Sequence, residues 1–228
     1  TDYLDAMGAT DVAIDPSNSN IIYLATGDGD AGDTYSIGIL KSTDGGNNFT
    51  AIASITGRGR SMVSVTAANP EVVYVIQATP SGIFGKFYKS TDSGDNFTIV
   101  SSGFSGNNNI LGYEPNGTGT SGQAWHDLAM DVSPTNENLV HVGGIICFKS
   151  IDGGTTWNAT TNWTWGNTIG YNHADVHVLT YNGSTLYSGS DGGIFKSTDN
   201  AENWTDITTG MGIRQFYRFG ICKSNPEV

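Results

Sequence analysis

Hydrophobic positions along the chain come in short stretches, such as 72–77 and 84–90, separated by clusters of Gly, Asn, Asp, Ser and Pro. No long amphipathic helix is visible. Short apolar stretches bounded by turn residues predict strands, and a chain made only of them predicts an all-β protein. The strands also recur in groups of four. The first group covers 10–15, 21–26, 36–41 and 49–53, and the second covers 61–66, 72–77, 84–90 and 97–101. The third covers 125–131, 139–142, 145–150 and a short strand from Trp157; the fourth covers 174–180, 185–189, 193–197 and 204–207. In the first three groups the first turn carries a proline (Pro16, Pro70, Pro134), which presets φ and withholds a ladder donor.

The third and fourth strands of each group are joined by a repeated octapeptide, Ser-x-Asp-x-Gly-x-x-aromatic, always preceded by Lys. The copies run 42–49, 90–97, 150–157 and 197–204, the last with Ala201 in place of the glycine. This is the Asp-box pattern. In a hairpin turn its Asp accepts hydrogen bonds from turn amides, Gly supplies positive φ and the aromatic anchors the returning strand. Asp44, Asp92, Asp152 and Asp199 are therefore read as structural. The copies start 48, 60 and 47 residues apart, near the period of one four-stranded propeller blade.

The fold class that follows is a β-propeller of four-stranded antiparallel blades with Asp-box turns, its blades at about 8–56, 57–104, 122–160 and 172–210. The stretch Gly220 to Val228 aligns with Ser64 to Val72, so 213–228 reads as the start of a fifth blade. Propellers avoid open sheet edges, so the chain is expected to be an incomplete part of a larger ring, with the remaining blades of the same protein among its partners.

Charge narrows the partners. Ten Lys and Arg stand against 22 Asp and Glu, a net charge of −12 that repels phosphate backbones and anionic lipid, so nucleic acid is not expected. The longest apolar runs fall far short of the roughly 20 residues of a membrane-spanning helix, so no membrane insertion is expected. Cys147 and Cys222 fall in different blades and read as buried thiols rather than a disulfide.

Candidate chemistry follows from where the long connections lie. In a four-stranded meander the second-to-third loops and the blade-to-blade crossings share the face opposite the octapeptides, and that face receives the insertions 27–35, 102–124 and 158–172. These carry Tyr113, Trp163, Trp165 and Tyr171, with Trp125 and His126 at the entry to the third blade. Such rings stack on sugar faces or plug the underside of long loops. Aligning the innermost strands by sequence sets Asp11, Met62, Asp127 and Asp175 level, which makes the three aspartates candidate catalytic carboxylates at the channel mouth. Strand alternation over 173–177 would place His173, Asp175 and His177 on one face, either as ligands for a metal such as zinc or as a hydrogen-bonded plug. Asp28, Asp30 and Asp33 are calcium-type ligands without the EF-hand spacing.

The octapeptides, the blade period, His173-Ala-Asp-Val-His177, Ser190 to Ser197 and Gln215-Phe-Tyr217 together resemble the sortilin-type Asp-box (BNR) propellers of secreted bacterial proteins, over almost the whole chain. The resemblance implies a secreted or cell-surface protein that is glycoside-hydrolase-like in fold. A sialidase would need three arginines and an Arg-Ile-Pro signature, whereas this chain has Arg58, Arg60, Arg214 and Arg218 in two clusters without it. The expected function is non-catalytic binding of polysaccharide, glycan or protein through the loop-rich face. A xyloglucanase-like glycoside hydrolase using the channel-mouth carboxylates is the alternative.

Overall fold

The computed structural model describes residues 8–26, 38–57, 59–103, 108–164 and 169–211, and they form four antiparallel four-stranded sheets arranged as propeller blades. The first blade comprises β1 (Ala9–Ile14), β2 (Ile22–Thr26), β3 (Ile39–Ser42) and β4 (Thr50–Ala51). The second comprises β5 (Ser61–Val65), β6 (Val73–Ala78), β7 (Phe84–Ser90) and β8 (Thr98–Ser102). The third comprises β9 (Ala129–Val132), β10 (Val140–Gly143), β11 (Cys147–Ser150) and β12 (Asn158–Ala159). A two-residue parallel pair, β13 (Thr161–Asn162) and β14 (Gly170–Tyr171), ties down the next crossing. The fourth blade comprises β15 (Val176–Asn182), β16 (Thr185–Ser190), β17 (Gly193–Ser197) and β18 (Thr205–Asp206). Each blade is a meander, and the innermost strands β1, β5, β9 and β15 pack one beside the next. The segment 213–228, read as the start of a fifth blade, lies outside the described residues.

The octapeptide turns are nearly identical. In each, the Ser hydroxyl (Ser42, Ser90, Ser150, Ser197) donates to Asp Oδ1 at 2.7–2.8 Å and accepts the amide four residues on, at Gly46, Gly94, Gly154 or Ala201, at 2.8–2.9 Å. Asp Oδ1 also accepts the amide of Asn48, Asn96, Thr156 or Asn203 at 2.9 Å, and Oδ2 takes that residue's side chain. These bonds close the turn from within, as the spacing predicts, while Gly45, Ser93 and Gly153 donate their amides to Asn20, Glu71 and Asn138 in the first turn of the same blade. Gly154, at φ 91°, also lets the turn approach the second blade, since a Cβ there would lie 2.3 Å from the Phe87 ring. Ala201 occupies the same left-handed position at φ 64°, a conformation costing an L-residue roughly 1–2 kcal/mol.

Three apolar layers fill the spaces between blades. Tyr23, Ile39, Val63, Val73 and Tyr88 pack between the first and second. Tyr74, Ile76, Phe87, Leu128, Val142 and Phe148 pack between the second and third, and Ala129, Cys147, Val176, Leu179 and Leu186 between the third and fourth. Cys147 is a buried free thiol, pushed up to about 12 by burial, and Cys222 lies outside the described residues.

A second set of contacts crosses the same junctions at the edge nearer the octapeptides. Tyr23 Oη donates to Ser93 O at 2.6 Å, and Tyr74 Oη to Glu137 O at 2.9 Å. His141, at the matching place in the third blade, meets Tyr181 Oη at 2.8 Å. The Lys before each of the first three turns does the same work: Lys41 pairs with Asp95 at 2.6 Å, Lys89 donates to Asn138 at 3.1 Å, and Lys149 pairs with Glu202. The recurrent Lys is thus an inter-blade tie, a role its position in the repeat alone does not reveal.

Replacing Ser150 with Ala strands the buried Gly154 amide and is expected to cost about 1–3 kcal/mol, measured as a loss in chemical-denaturation stability. Gly154→Ala, which adds a clash with Phe87 to backbone strain, is expected to be the more damaging of the two.

The turn hydrogen bonds also set an acid limit. The Asn48 and Asn96 bonds, followed by those from Ser42 and Ser90, hold Asp44 and Asp92 down to about 2. Carboxyls depressed in the folded state stabilise it above their ordinary value of 3.8, and the contribution is lost as pH falls toward 2. Melting temperature is therefore expected to fall between about pH 4 and pH 2, and less steeply when Asp92 is replaced by Asn.

Candidate functional site: the channel mouth and its loops

The innermost strands enter from the face that carries the blade crossings. A cleft of about 520 Å³ opens between them, lined among others by Asp11, Arg60, Met62, Asp131 and His177. Two of these carboxylates clip neighbouring strands together. Asp11 on β1 accepts Val63 N of β5 at 3.1 Å, and Asp131 on β9 accepts Tyr181 N of β15 at 2.8 Å. Burial raises both above the ordinary carboxylate value.

The strand pairing corrects the level at which the candidate aspartates sit. Asp11 pairs with Ala25 and Met62 with Ile76, and the matching pairs in the other blades are Ala129 with Gly143 and Val178 with Gly189. Ala129 and Val178, not Asp127 and Asp175, therefore stand level with Asp11. Two local features displace the sequence alignment. Gln123 O accepts the amides of both His126 and Asp127, so a turn precedes β9 where a strand was expected. In β15 the register shifts between Val176 and Val178, leaving His177 as the extra residue of a bulge.

Asp127 and Asp175 nonetheless meet, across the junction of the third and fourth blades. Gln123 Nε2 donates to Asp127 Oδ2 at 3.2 Å and to Asp175 Oδ1 at 2.5 Å. Asp127 is fully buried, and among the described residues its Oδ1 has no hydrogen-bond partner. Burial above all, then the Asp175 carboxylate beside it, push Asp127 up to about 7 against the Gln123 bond, which favours the charged form. Asp175 adopts φ 63°, a left-handed conformation that interrupts strand alternation and turns its carboxylate to this pair. Arg60 completes the surroundings by donating to His126 O.

The same interruption separates the His-Asp-His set. His173 Nδ1 lies 3.0 Å from Ala174 O, and its ring covers Gly192 so closely that a Cβ there would lie 2.1 Å from it. His177 instead pairs with Asp191 at 2.9 Å and stands edge-on to His126, ring centroids 5.2 Å apart. Among the described residues no group of three His, Cys, Asp or Glu is placed to hold a metal ion. Asp28, Asp30 and Asp33 lie outside the described residues.

The candidate binding rings fall into two connected sets. Trp163 donates its Nε1 to Tyr113 O at 3.2 Å and packs edge-on to the Tyr113 ring, joining the two long crossings. Tyr113 Oη in turn donates to Gln123 Oε1 at 3.3 Å, so this set runs into the Asp127 and Asp175 pair. Trp125 packs over Gly82 and against His126, which leads to His177 and Asp191. Trp163, Trp125 and Tyr113 keep 45%, 39% and 38% of their surface exposed, enough for a ligand to reach them. Tyr171 is half-buried and edge-on to Phe195, a packing position. Trp165 lies outside the described residues. Gln123, Arg60, Asp131 and Asp191 are site residues that the sequence reading passed over.

No family model matches the chain, and no curated protein matches it in sequence. Solved structures do share its fold. A crystal structure of an ancestral GH74 enzyme superposes with a TM-score of 0.55 at 21% identity, covering 86% of this chain and 23% of that one. The GH74 enzyme of Niastella koreensis gives 0.55 at 24%, covering 89% and 30%, and YCF48 from Cyanidioschyzon merolae gives 0.53 at 14%, covering 88% and 56%. The chain thus spans less than a third of either GH74 enzyme and just over half of YCF48. At these identities the likeness establishes the propeller fold alone.

The Asp127 carboxyl, raised in the folded state from 3.8 to about 7, favours folding most at low pH, and that contribution is lost as pH rises through 7. Asp127→Asn keeps the shape and removes the charge. It is expected to raise the melting temperature at pH 8 and leave it nearly unchanged at pH 4.

Proposed function

We propose that the chain is part of a secreted or cell-surface Asp-box propeller of the sortilin type, which binds glycan through its loop-rich face without catalysing a reaction there. The observation that carries this reading is the exposed trio Tyr113, Trp125 and Trp163, each ring fixed by a hydrogen bond or a close backbone contact. A flat ring whose orientation is already set loses little entropy when a sugar stacks on it. The polar groups behind the rings, Gln123 and His126 with the paired carboxylates, supply hydrogen-bonding capacity for hydroxyls. A charge of −12 disfavours polyanionic ligands, which supports a neutral polysaccharide.

A glycoside hydrolase is the second reading, favoured by one observation: Asp127, at about 7, holds a proton near neutrality as a general acid must. Against it, Asp127 is fully buried, and both it and Asp175 bond one amide group rather than facing each other across a substrate cleft.

Trp163→Ala and Trp125→Ala are each expected to weaken retention on immobilised neutral polysaccharide by roughly tenfold, with a cooperative melt retained at a modestly lower temperature. Release of reducing sugar that disappears in Asp127→Asn would replace this reading with the hydrolase. Retention unaffected by both ring changes would leave a protein ligand as the occupant of this face.

A further inference from the structure

A second concavity, of about 330 Å³, lies where the crossing 108–122 folds over the outer strands of the third blade, apart from the channel mouth. Its lining contains no ionisable side chain, in a chain with 32 charged residues. Half-buried Trp157, backed by the buried Phe148 and Ile110, forms its apolar part, and Asn108 and Asn116 of the crossing with Asn158 of β12 bring side-chain amides to it.

Those amides hold unused capacity of both kinds. Asn116 Oδ1 accepts from the amide and the hydroxyl of Thr118 at 3.0 and 2.6 Å, and among the described residues its Nδ2 has no acceptor. Asn108 gives an N–H to Ser102 O at 3.3 Å and keeps its carbonyl oxygen. Asn158 is exposed, and its side chain has no hydrogen bond among the described residues. The floor, by contrast, is fixed. Trp157 donates Nε1 to Ser101 Oγ at 3.1 Å and stands edge-on to Phe87 at 4.9 Å.

The wall is fixed too. Asn109, 5% exposed, uses its Oδ1 for Phe84 N at 2.9 Å and its Nδ2 for Ser121 O at 3.0 Å. Its own amide donates to Gly117 O at 2.8 Å, so the crossing is held against the blade before any ligand arrives.

We propose that this concavity is a separate binding site for one neutral sugar ring. The ring's C–H face lies on the apolar floor, and its hydroxyls, which both donate and accept, pair with the three asparagines. A cation would find no carboxylate in the lining, and an anion would find no Lys or Arg and would meet the repulsion of the whole chain. The volume is at the lower end of small-ligand sites, matching a terminal sugar rather than a long segment. The inference rests on the glycan reading above for the ligand class but not for the residues, which are different ones.

The test uses short and long probes on the same protein. Saturation-transfer NMR with methyl β-glucoside, methyl α-mannoside and methyl β-cellobioside is expected to show binding of at least one, and none for methyl galacturonate. Asn116→Leu and Asn158→Leu, both at exposed positions, are expected to weaken that binding by roughly tenfold, the first with a small loss of melting temperature from the Thr118 bonds and the second with none. Trp163→Ala is expected to leave it intact while reducing polysaccharide retention. Glycoside binding unchanged in both asparagine variants, equal binding of the galacturonate, or retention of polysaccharide with no short glycoside bound would each overturn the pocket and leave the ring surface standing. Absence of both kinds of binding would overturn both readings.

Discussion

The serine hydroxyl that opens each octapeptide is the interaction from which the rest of the molecule is built. It donates to the aspartate two residues on and accepts a backbone amide four residues on, so one buried oxygen closes the turn in both directions. With the turn closed, the third and fourth strands pair, the aromatic residue returns to the blade, and the preceding Lys is held where it can reach the next blade. Removing the hydroxyl would leave a donor unpaired where the turn packs against the preceding blade, as Gly94 does on Tyr23 and Gly154 on Phe87.

At the opposite face the chemistry runs the other way. The octapeptide carboxylates are held ionised by donors, whereas Asp127 is kept short of them: one amide serves two carboxyls, and burial does the rest. The molecule therefore places its charge-satisfying turns on one side and a charge-averse junction on the other. This junction couples the loop 108–122 to the entry of the fourth blade through Gln123, so the exposed rings and the packing of two blades share a single side chain.

Much of this was legible in the sequence because the turn is a local code. Eight residues carry the serine and aspartate bonds that close it, so the spacing of Ser42, Asp44 and Phe49 suffices to read it. Contacts between blades are not local. Lys41 can be noticed before its turn, but Asp95 lies 54 residues away and nothing marks it as the partner. The site failed to read through for a different reason. Period-two reasoning holds only while a strand continues, and it breaks at His177, which is an added residue, and at Asp175, whose left-handed φ aspartate tolerates without any mark in the sequence. Gln123 gave no signal because a lone glutamine in a long loop resembles any other polar loop residue.

The ties made by the paired tyrosine or histidine and lysine point the same way along the chain, whereas Phe97 and Trp157 bond back to the preceding blade. Tyr23 and Lys41, paired across β2 and β3, both reach forward, and so do Tyr74 with Lys89 and His141 with Lys149. The fourth blade carries the same pair, Tyr187 opposite Lys196, and among the described residues neither makes such a bond. Each unit thus has a giving side and a receiving side, like a link with a hook and an eye. Stacking is head-to-tail, and a repeat that keeps its hook and eye can be duplicated or deleted by recombination without redesign of its neighbours. Growth in whole-blade steps is compatible with ties that, in the first three blades, face forward from a tyrosine or histidine and a lysine.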